Sequence, residues 1–379
     1  MKDRTLHVSA IGAVVRKVAE RLEVWHCEAR VGHARLFDLE AVHLYGRAHV
    51  TAAALQACMA SGVRVCWYSR TRLVARCEPE SASHVLTRIA QVDRLRDTAW
   101  RLGFARDLVH AKLAAQHCVI QRWRHGRSEA TVAAALDHCA AELARLQQHL
   151  GDATTDDGLR GLEGMGAALH FRGLAELLRS GPARDLGFAG RLAHPPGDAV
   201  NAALSFGYVL LANELAGLLA GLGLDPAIGL LHGLRSGRDS LALDAVEPYR
   251  APVVDALVAQ LLARKMLTAE DFIPQGRHAV YLTPDGRAKL LQTWEAWMRA
   301  PERGASVFGG TAARGQAADS WRHALRAQAV ALRSAIVHKQ PVTWYWDQDG
   351  GPDGGIEVQG RPKAAPQAKP SRPARGKEQ

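Results

Sequence analysis

From Ala199 to Leu224 the chain is almost wholly apolar or small, a run long enough to cross a bilayer as a helix. Two architectures accommodate such a run: a membrane span, or a helix enclosed on all sides by a large core. Asn201, Asn213 and Glu214 lie within it and Gly-rich turns follow, which favours the core helix, because polar and ionisable groups are costly in hydrocarbon. A core that surrounds a whole helix needs a large body. At 379 residues the chain supplies one, with length for two domains, and its 47% hydrophobic and 23% charged residues are those of a soluble globular protein.

The periodicity of the remainder divides the chain. Residues 1–80 read as a small, mostly-β domain: Gly12–Arg16, Leu22–His26, Arg35–Leu39, Val63–Ser69 and Leu73–Cys77 are short, rich in Val, Leu and aromatics, and separated by Gly or polar breaks. Between them Thr51–Ala60 is Ala-rich and ends at Ser61-Gly62, the pattern of a short helix with a glycine cap. From His84 the spacing turns helical. Leu86, Ile89, Val92 and Leu95, then Leu102, Leu108, Leu113 and Ile120, predict one long helix closing near Gly126. Further helices are predicted over Ala130–Leu150 and Ser320–His338, with Phe272–Tyr281 a loop and Trp294 and Trp297 core anchors. The expected class is α+β, with residues 81–346 forming a larger all-α domain and 347–379 a disordered, basic, Pro-rich tail.

A formal net charge of +10 invites a nucleic-acid reading, but residues 361–379 hold six basic residues and one acid, so half of that excess sits in the tail. Trp67, Tyr68, Arg70 and Arg72 suit strand and edge positions better than base stacking. The six cysteines form no C-x-x-C pair, which argues against a zinc site and fits a reduced cytoplasm. No secretory signal is visible, since Ile11–Val15 stops at Arg16-Lys17.

The chemistry-bearing stretch is Gly229–Asp255. It places His232 at the end of an apolar segment, Arg235 and Arg238 in a Gly-rich loop, and Asp244 and Glu247 on one face of a predicted helix. An imidazole and two carboxylates suit Mg2+ or Mn2+, which take oxygen ligands, Mn2+ accepting imidazole as well. A solvated helix end offers the same residues, so spacing leaves both readings open, and Pro248 predicts a kink or end just after Glu247. Upstream, Glu163 stands among Gly161, Gly164 and Gly166. It is either an exposed helix residue or a buried acid that something must satisfy.

Four motifs in order, Leu-Arg-Gly-Leu-Glu-Gly (159–164), Asp-Ala-Val-Asn-Ala-Ala-Leu-Ser-Phe-Gly-Tyr-Val-Leu-Leu (198–211), Gly-Leu-Asp-Pro-Ala-Ile-Gly-Leu-Leu-His (223–232) and Ser-Leu-Ala-Leu-Asp-Ala-Val-Glu-Pro-Tyr-Arg (240–250), resemble the CRISPR-associated integrase, the "Cas-one" family. Ala111-Lys112 with Gln116, and Asp271-Phe272 with Tyr281-Leu282, add weaker support, and the resemblance runs from about Leu36 to Trp346. It implies a β domain joined to a helical catalytic domain and a metal, Mg2+ or Mn2+, held by Glu163, His232 and Glu247, with Asp244 a possible fourth acidic group. It also implies a homodimer, and a small ferredoxin-like partner that two such dimers grip to insert foreign double-stranded DNA into a CRISPR repeat. His170 before Phe171, and Ala115 before Gln116, depart from the family pattern without touching these ligands.

The implied reaction, attack of a DNA 3′-hydroxyl on a repeat phosphodiester, suits such a site; water in place of the hydroxyl would give nuclease activity. Arg235 and Arg238, and more weakly Lys112, Arg122 and Arg124, are the expected phosphate contacts. Two other classes stay open: a metal-dependent nuclease or transposase relative acting on branched DNA outside CRISPR immunity, and a non-catalytic DNA-binding scaffold.

Overall fold

Short β-rich segments separated by turns build two four-stranded sheets from residues 4–77. The strands are β1 (Arg4–Val8), β2 (Val14–Val18), β3 (Arg21–His26), β4 (Ala29–Arg35), β5 (Leu39–Tyr45), β6 (His49–Val50), β7 (Arg64–Ser69) and β8 (Arg72–Cys77). One sheet runs β1-β5-β7-β8, with β5 parallel to both neighbours and β8 antiparallel at the edge. The other runs β4-β3-β2-β6. Helix α1 (Ala52–Ala60) starts where the Thr51 hydroxyl accepts from Ala54 N at 3.3 Å, and Gly62 follows it with φ +66°. The computed structural model describes residues 4–69, 72–79, 84–192, 195–276, 279–300 and 320–344; Arg70 and the tail expected at 347–379 lie outside them.

The helical part comprises α2 (Val85–Arg96), α3 (Thr98–Arg124), α4 (Ala130–Gln148), α5 (Asp156–Arg179), α6 (Ala199–Gly221), α7 (Ser240–Val246), α8 (Ala256–Ala263), α9 (Pro284–Arg299) and α10 (Trp321–His338). Three expectations need correction. The single helix predicted from His84 is two, because Asp97 leaves helical geometry and caps α3 by accepting from Trp100 N at 3.1 Å. Arg35–Leu39 is not one strand: Arg35 ends β4, Leu36–Asp38 is a 3-10 turn, and Leu39 begins β5. The helical part is not all-α either: Phe272–Gln275 and Ala279–Leu282 form an antiparallel pair, β9 and β10, where a loop was expected.

The core lies in two clusters. One is confined to the β-rich residues and includes Val15, Leu22, Val42 and Val65. The other spans the helices and takes in Tyr45, Cys66 and Tyr68 from the first sheet, so that sheet also backs the helical body. Helix α6 runs through this second cluster, as its composition predicts, and Trp294 and Trp297 are buried in it as anchors. Glu214, the acid within α6, is 2% exposed and meets Arg322 of α10 at 2.8 Å; Arg322 also holds Glu295 at 2.9 Å. Arg326 of α10 and Arg64 of β7 both pair with Glu40 of β5, at 2.5 and 3.2 Å. The Arg326–Glu40 pair ties the sheet to the helices, and the Arg322 pairs tie α6, α9 and α10 together; breaking the buried Arg322–Glu214 pair would strand a desolvated charge.

Candidate active site

Close contact between α3 and α5 begins the site. A Cβ at Gly166 would lie 2.1 Å from Leu113 Cδ2, and one at Gly173 would lie 2.4 Å from Ile120 Cδ1. The absence of a side chain at these two turns of α5 lets Leu113 and Ile120 of α3 come in against them. Gly161 and Gly164 have open space around the Cβ position, so the close approach depends on Gly166 and Gly173. Lys112, beside Leu113, and Glu163, one turn before Gly166, are thereby brought together, and the ammonium donates to Glu163 Oε1. It also lies 2.5 Å from Glu247 Oε2. The Lys112 side chain is 7% exposed, Glu247 3% and Glu163 24%.

The second part of the site is the segment ending at His232. Asp244, fully buried on α7, accepts from the amides of Leu230 (2.6 Å), Leu231 (3.0 Å) and His232 (2.9 Å), and meets His232 Nδ1 at 2.6 Å. The carbonyls of the same segment are held from other helices. Arg101 of α3 reaches Leu230 O at 3.3 Å, and Arg160 of α5 reaches Leu231 O at 3.1 Å. Gly229 makes the turn possible: a Cβ there would lie 2.7 Å from His232 O and 2.9 Å from Ser240 C, both backbone. Arg76 of β8 adds a bond to Asp239 at 3.0 Å, so the first sheet braces the loop.

A carboxylate that accepts three amides and the imidazole fixes the imidazole's tautomer. Asp244 keeps the proton on Nδ1 and leaves the Nε2 lone pair free, the arrangement a metal-ligating histidine needs. Asp244 is thus a positioning group behind His232, with both oxygens occupied, rather than a fourth group open to a ligand.

Glu247 follows α7, and Pro248 changes the helix type instead of ending it. A 3-10 turn (Glu247–Tyr249) leads into a π-helical stretch (Arg250–Asp255) and then α8. Pro248 lacks the N–H that a regular α-helix would use here, and π-bulges often mark functional sites. Arg250, three residues on, grips Glu247 Oε1 at 3.0 Å. Burial alone would raise the Glu247 carboxyl, but Arg250, Lys112 and the nearby His232 outweigh it and hold the group at about 2. It is ionised at any physiological pH.

Behind Arg250 lies a network that sequence reasoning missed. Its guanidinium lies over the Tyr208 ring, 4.9 Å from the centroid, and Arg191 lies 5.2 Å from the same ring. Tyr208 donates to Asp255 Oδ1, and the fully buried His170 meets Asp255 Oδ2 at 2.9 Å. Burial and the Asp255 carboxylate push the Tyr208 hydroxyl well above the ordinary phenol range, so it remains a donor.

Of the expected ligands, Glu163 and Glu247 meet on Lys112, and His232, held by Asp244, lies near enough to Glu247 to influence its carboxyl. Of the expected phosphate contacts, Arg235 is exposed on the loop. Arg238 is turned inward, donating to Gly233 O and, at 3.1 Å, to Ser240 Oγ. Arg122 and Arg124 stand at the far end of α3, about 15 and about 18 Å from Lys112 at the usual helical rise, and Arg124 pairs with Asp137 at 2.9 Å. Among the described residues no three His, Cys, Asp or Glu side chains are already drawn into a coordination cluster. The donor types nonetheless suit a hard divalent cation, since two carboxylates converge on one cationic group and the same stretch carries an imidazole whose Nδ1 is occupied by Asp244.

Residues 6–296 match the family model described as CRISPR associated protein Cas1. The chain is 34% identical over 296 residues, 77% of its own length and 85% of the relative's, to a protein of Rhodospirillum rubrum named CRISPR-associated endonuclease Cas1 2. In fold it resembles a casposase bound to integration product (TM-score 0.73, 19% identity, 92% of this chain and 94% of that one). It likewise resembles a chain of a Cas6-RT-Cas1–Cas2 complex (TM-score 0.72, 18% identity), covering 91% of this chain and 36% of that longer one.

Proposed function

The chain belongs to the Cas1 family of CRISPR-associated proteins, and from that premise we propose that it is a metal-dependent DNA integrase and endonuclease of CRISPR adaptation. It joins the 3′-hydroxyl ends of short foreign double-stranded DNA to the repeat of a CRISPR array by phosphodiester transesterification. The observation that carries this reading is the meeting of Glu163 and Glu247 on Lys112 from two separate elements, together with the buried Asp244 carboxylate that takes the Nδ1 side of the His232 imidazole. A purely solvated helix end would need neither the glycine contact with α3 nor the backbone bonds to Asp244.

In this reading Glu163, His232 and Glu247 hold Mg2+ or Mn2+, which supplies Lewis acidity toward the phosphate and the attacking and leaving oxygens. The chain does the rest. Asp244 sets the His232 tautomer, Arg250 holds Glu247 ionised and aligned, and Arg101 and Arg160 fix the backbone of Leu230 and Leu231. Arg235 meets an incoming phosphate, a contact that positions DNA without reading sequence. Arg238 keeps the loop folded.

We further propose a homodimer, two copies of which bind a small ferredoxin-like adaptation partner in the cytoplasm. Support for the dimer comes from α2, which is turned against its own pattern. Thr87 and Gln91 are buried, whereas Val85, Leu86 and Ile89 are 57%, 82% and 52% exposed. Gln91 faces inward because its amide bonds Asp225 O (2.9 Å) and Ile228 O (3.0 Å). The outward apolar face suits burial against a protein surface.

The test is strand transfer. Purified protein with its small partner, a short duplex with 3′-hydroxyls and a supercoiled plasmid carrying a repeat are combined with Mn2+ or Mg2+, for wild type, His232→Ala and Glu247→Ala. Metal-dependent joining at the repeat, lost in both variants, is expected. Joining that survives both substitutions moves the active site elsewhere, and metal-dependent cutting without joining replaces the integrase reading with a nuclease.

A further inference from the structure

Lys112 sits where the two carboxylates of the site converge, and no role of a surface lysine explains it. Its side chain is nearly all buried, and its ammonium contacts both Glu163 and Glu247. We infer that Lys112 is an exchangeable counter-ion that holds the place of the divalent cation, so that metal enters this site together with DNA phosphate rather than ahead of it. The inference rests on the metal-site reading above and deepens it.

The argument is one of charge. Lys112 and Arg250 carry two positive charges, and Glu163 and Glu247 carry two negative ones. Asp244 adds a third negative charge, spread over the three amide N–H groups and the His232 Nδ1–H that it accepts from, so the protein alone carries one net negative charge at this point. A divalent ion added to it turns this into a net positive charge in a region largely shielded from water, where like charges repel strongly. A phosphodiester arriving with the ion offsets that excess. It also gives the displaced ammonium an anion to pair with, and the flexible four-carbon stem of lysine allows the move. Glu163, the more exposed of the two carboxylates, lies on the side from which solvent reaches the pair.

Mn2+ binding to the full-length protein, read from the electron paramagnetic resonance signal of the free ion, tests this. It is measured with and without a short duplex whose 3′ ends are dideoxy, so that no joining occurs. Wild type is expected to bind Mn2+ weakly alone and about tenfold or more tighter with the duplex. By reciprocity Mn2+ should tighten duplex binding by the same factor. Lys112→Met should bind Mn2+ about tenfold or more tighter than wild type without DNA, with much less dependence on the duplex, and Lys112→Arg should stay near wild type. Lys112→Gln serves the same purpose as Lys112→Met if the latter does not fold. Equal or weaker Mn2+ binding by the neutral variants, alongside wild-type binding that Glu247→Gln abolishes, overturns the counter-ion role and leaves the metal site standing. Mn2+ binding by wild type that Glu247→Gln and His232→Ala leave unchanged overturns the metal site itself, and the counter-ion role with it.

Discussion

Replacing Asp244 by Asn separates the support of His232 from its chemistry. The carboxylate takes four hydrogen bonds, Oδ2 from Leu230 N and Leu231 N and Oδ1 from His232 N and Nδ1. An amide of the same shape keeps one acceptor oxygen. If that oxygen serves Leu230 and Leu231, the NH2 faces the His232 amide, donor to donor, and can pair with the imidazole only by moving its proton from Nδ1 to Nε2. Two charge-assisted bonds are lost, at about 1.5–3 kcal/mol each, in a group with no solvent exposure to soften the loss. We expect a destabilisation of about 3 kcal/mol, read as a lower urea midpoint at unchanged slope. Strand transfer should fall beyond that, by about ten- to a hundredfold at sub-saturating Mn2+, because the altered tautomer blocks the nitrogen the metal needs. The folded fraction at the assay temperature, from circular dichroism, separates the two effects. A variant within about 0.5 kcal/mol of wild type and with unchanged Mn2+ dependence would refute the reasoning.

Gly229→Ala places a methyl 2.6 Å from Ser240 Cβ and under 3 Å from backbone atoms of His232 and Ser240; these cannot yield without moving the loop, so thermal unfolding should reveal a loss of about 2 kcal/mol, with strand transfer falling as well. Glu247, held at about 2 against an ordinary 4.5, contributes ion-pair stability that is complete above about pH 4.5 and lost as pH falls toward 2. The stability gap between wild type and Glu247→Gln should therefore narrow by about 1.4 kcal/mol per pH unit below 4.5, as urea midpoints at pH 6 and 3.5 would record, and a constant gap would remove the depressed carboxyl from the account.

Which parts were legible in the sequence follows from where each constraint acts. Glu163, His232 and Glu247 were singled out because motif order carries them, and α6 was legible because Asn201, Asn213 and Glu214 turn so apolar a run from a membrane span to a buried core helix. Strand β5 was not, since Glu40 and His43 break its apolar pattern; Glu40 is satisfied by Arg64 and by Arg326, 286 residues away. The same blindness hid the meaning of Lys112. On α3 its spacing reads as one cation among several, grouped with Arg122 and Arg124, and only the contact at Gly166 distinguishes it by setting it against two carboxylates. Asp244 and Glu247 stand three apart in sequence and looked like one pair of ligands, yet Asp244 closes on the backbone behind His232 while Glu247 turns to Lys112 and Arg250. Spacing on a helix tells which side chains share a face; what each meets there depends on the chain that crosses it. Here that chain is the segment Gly229–His232 for Asp244 and helix α3 for Glu247, and the difference between the proposed positioning group and the proposed ligand lies in those two neighbours.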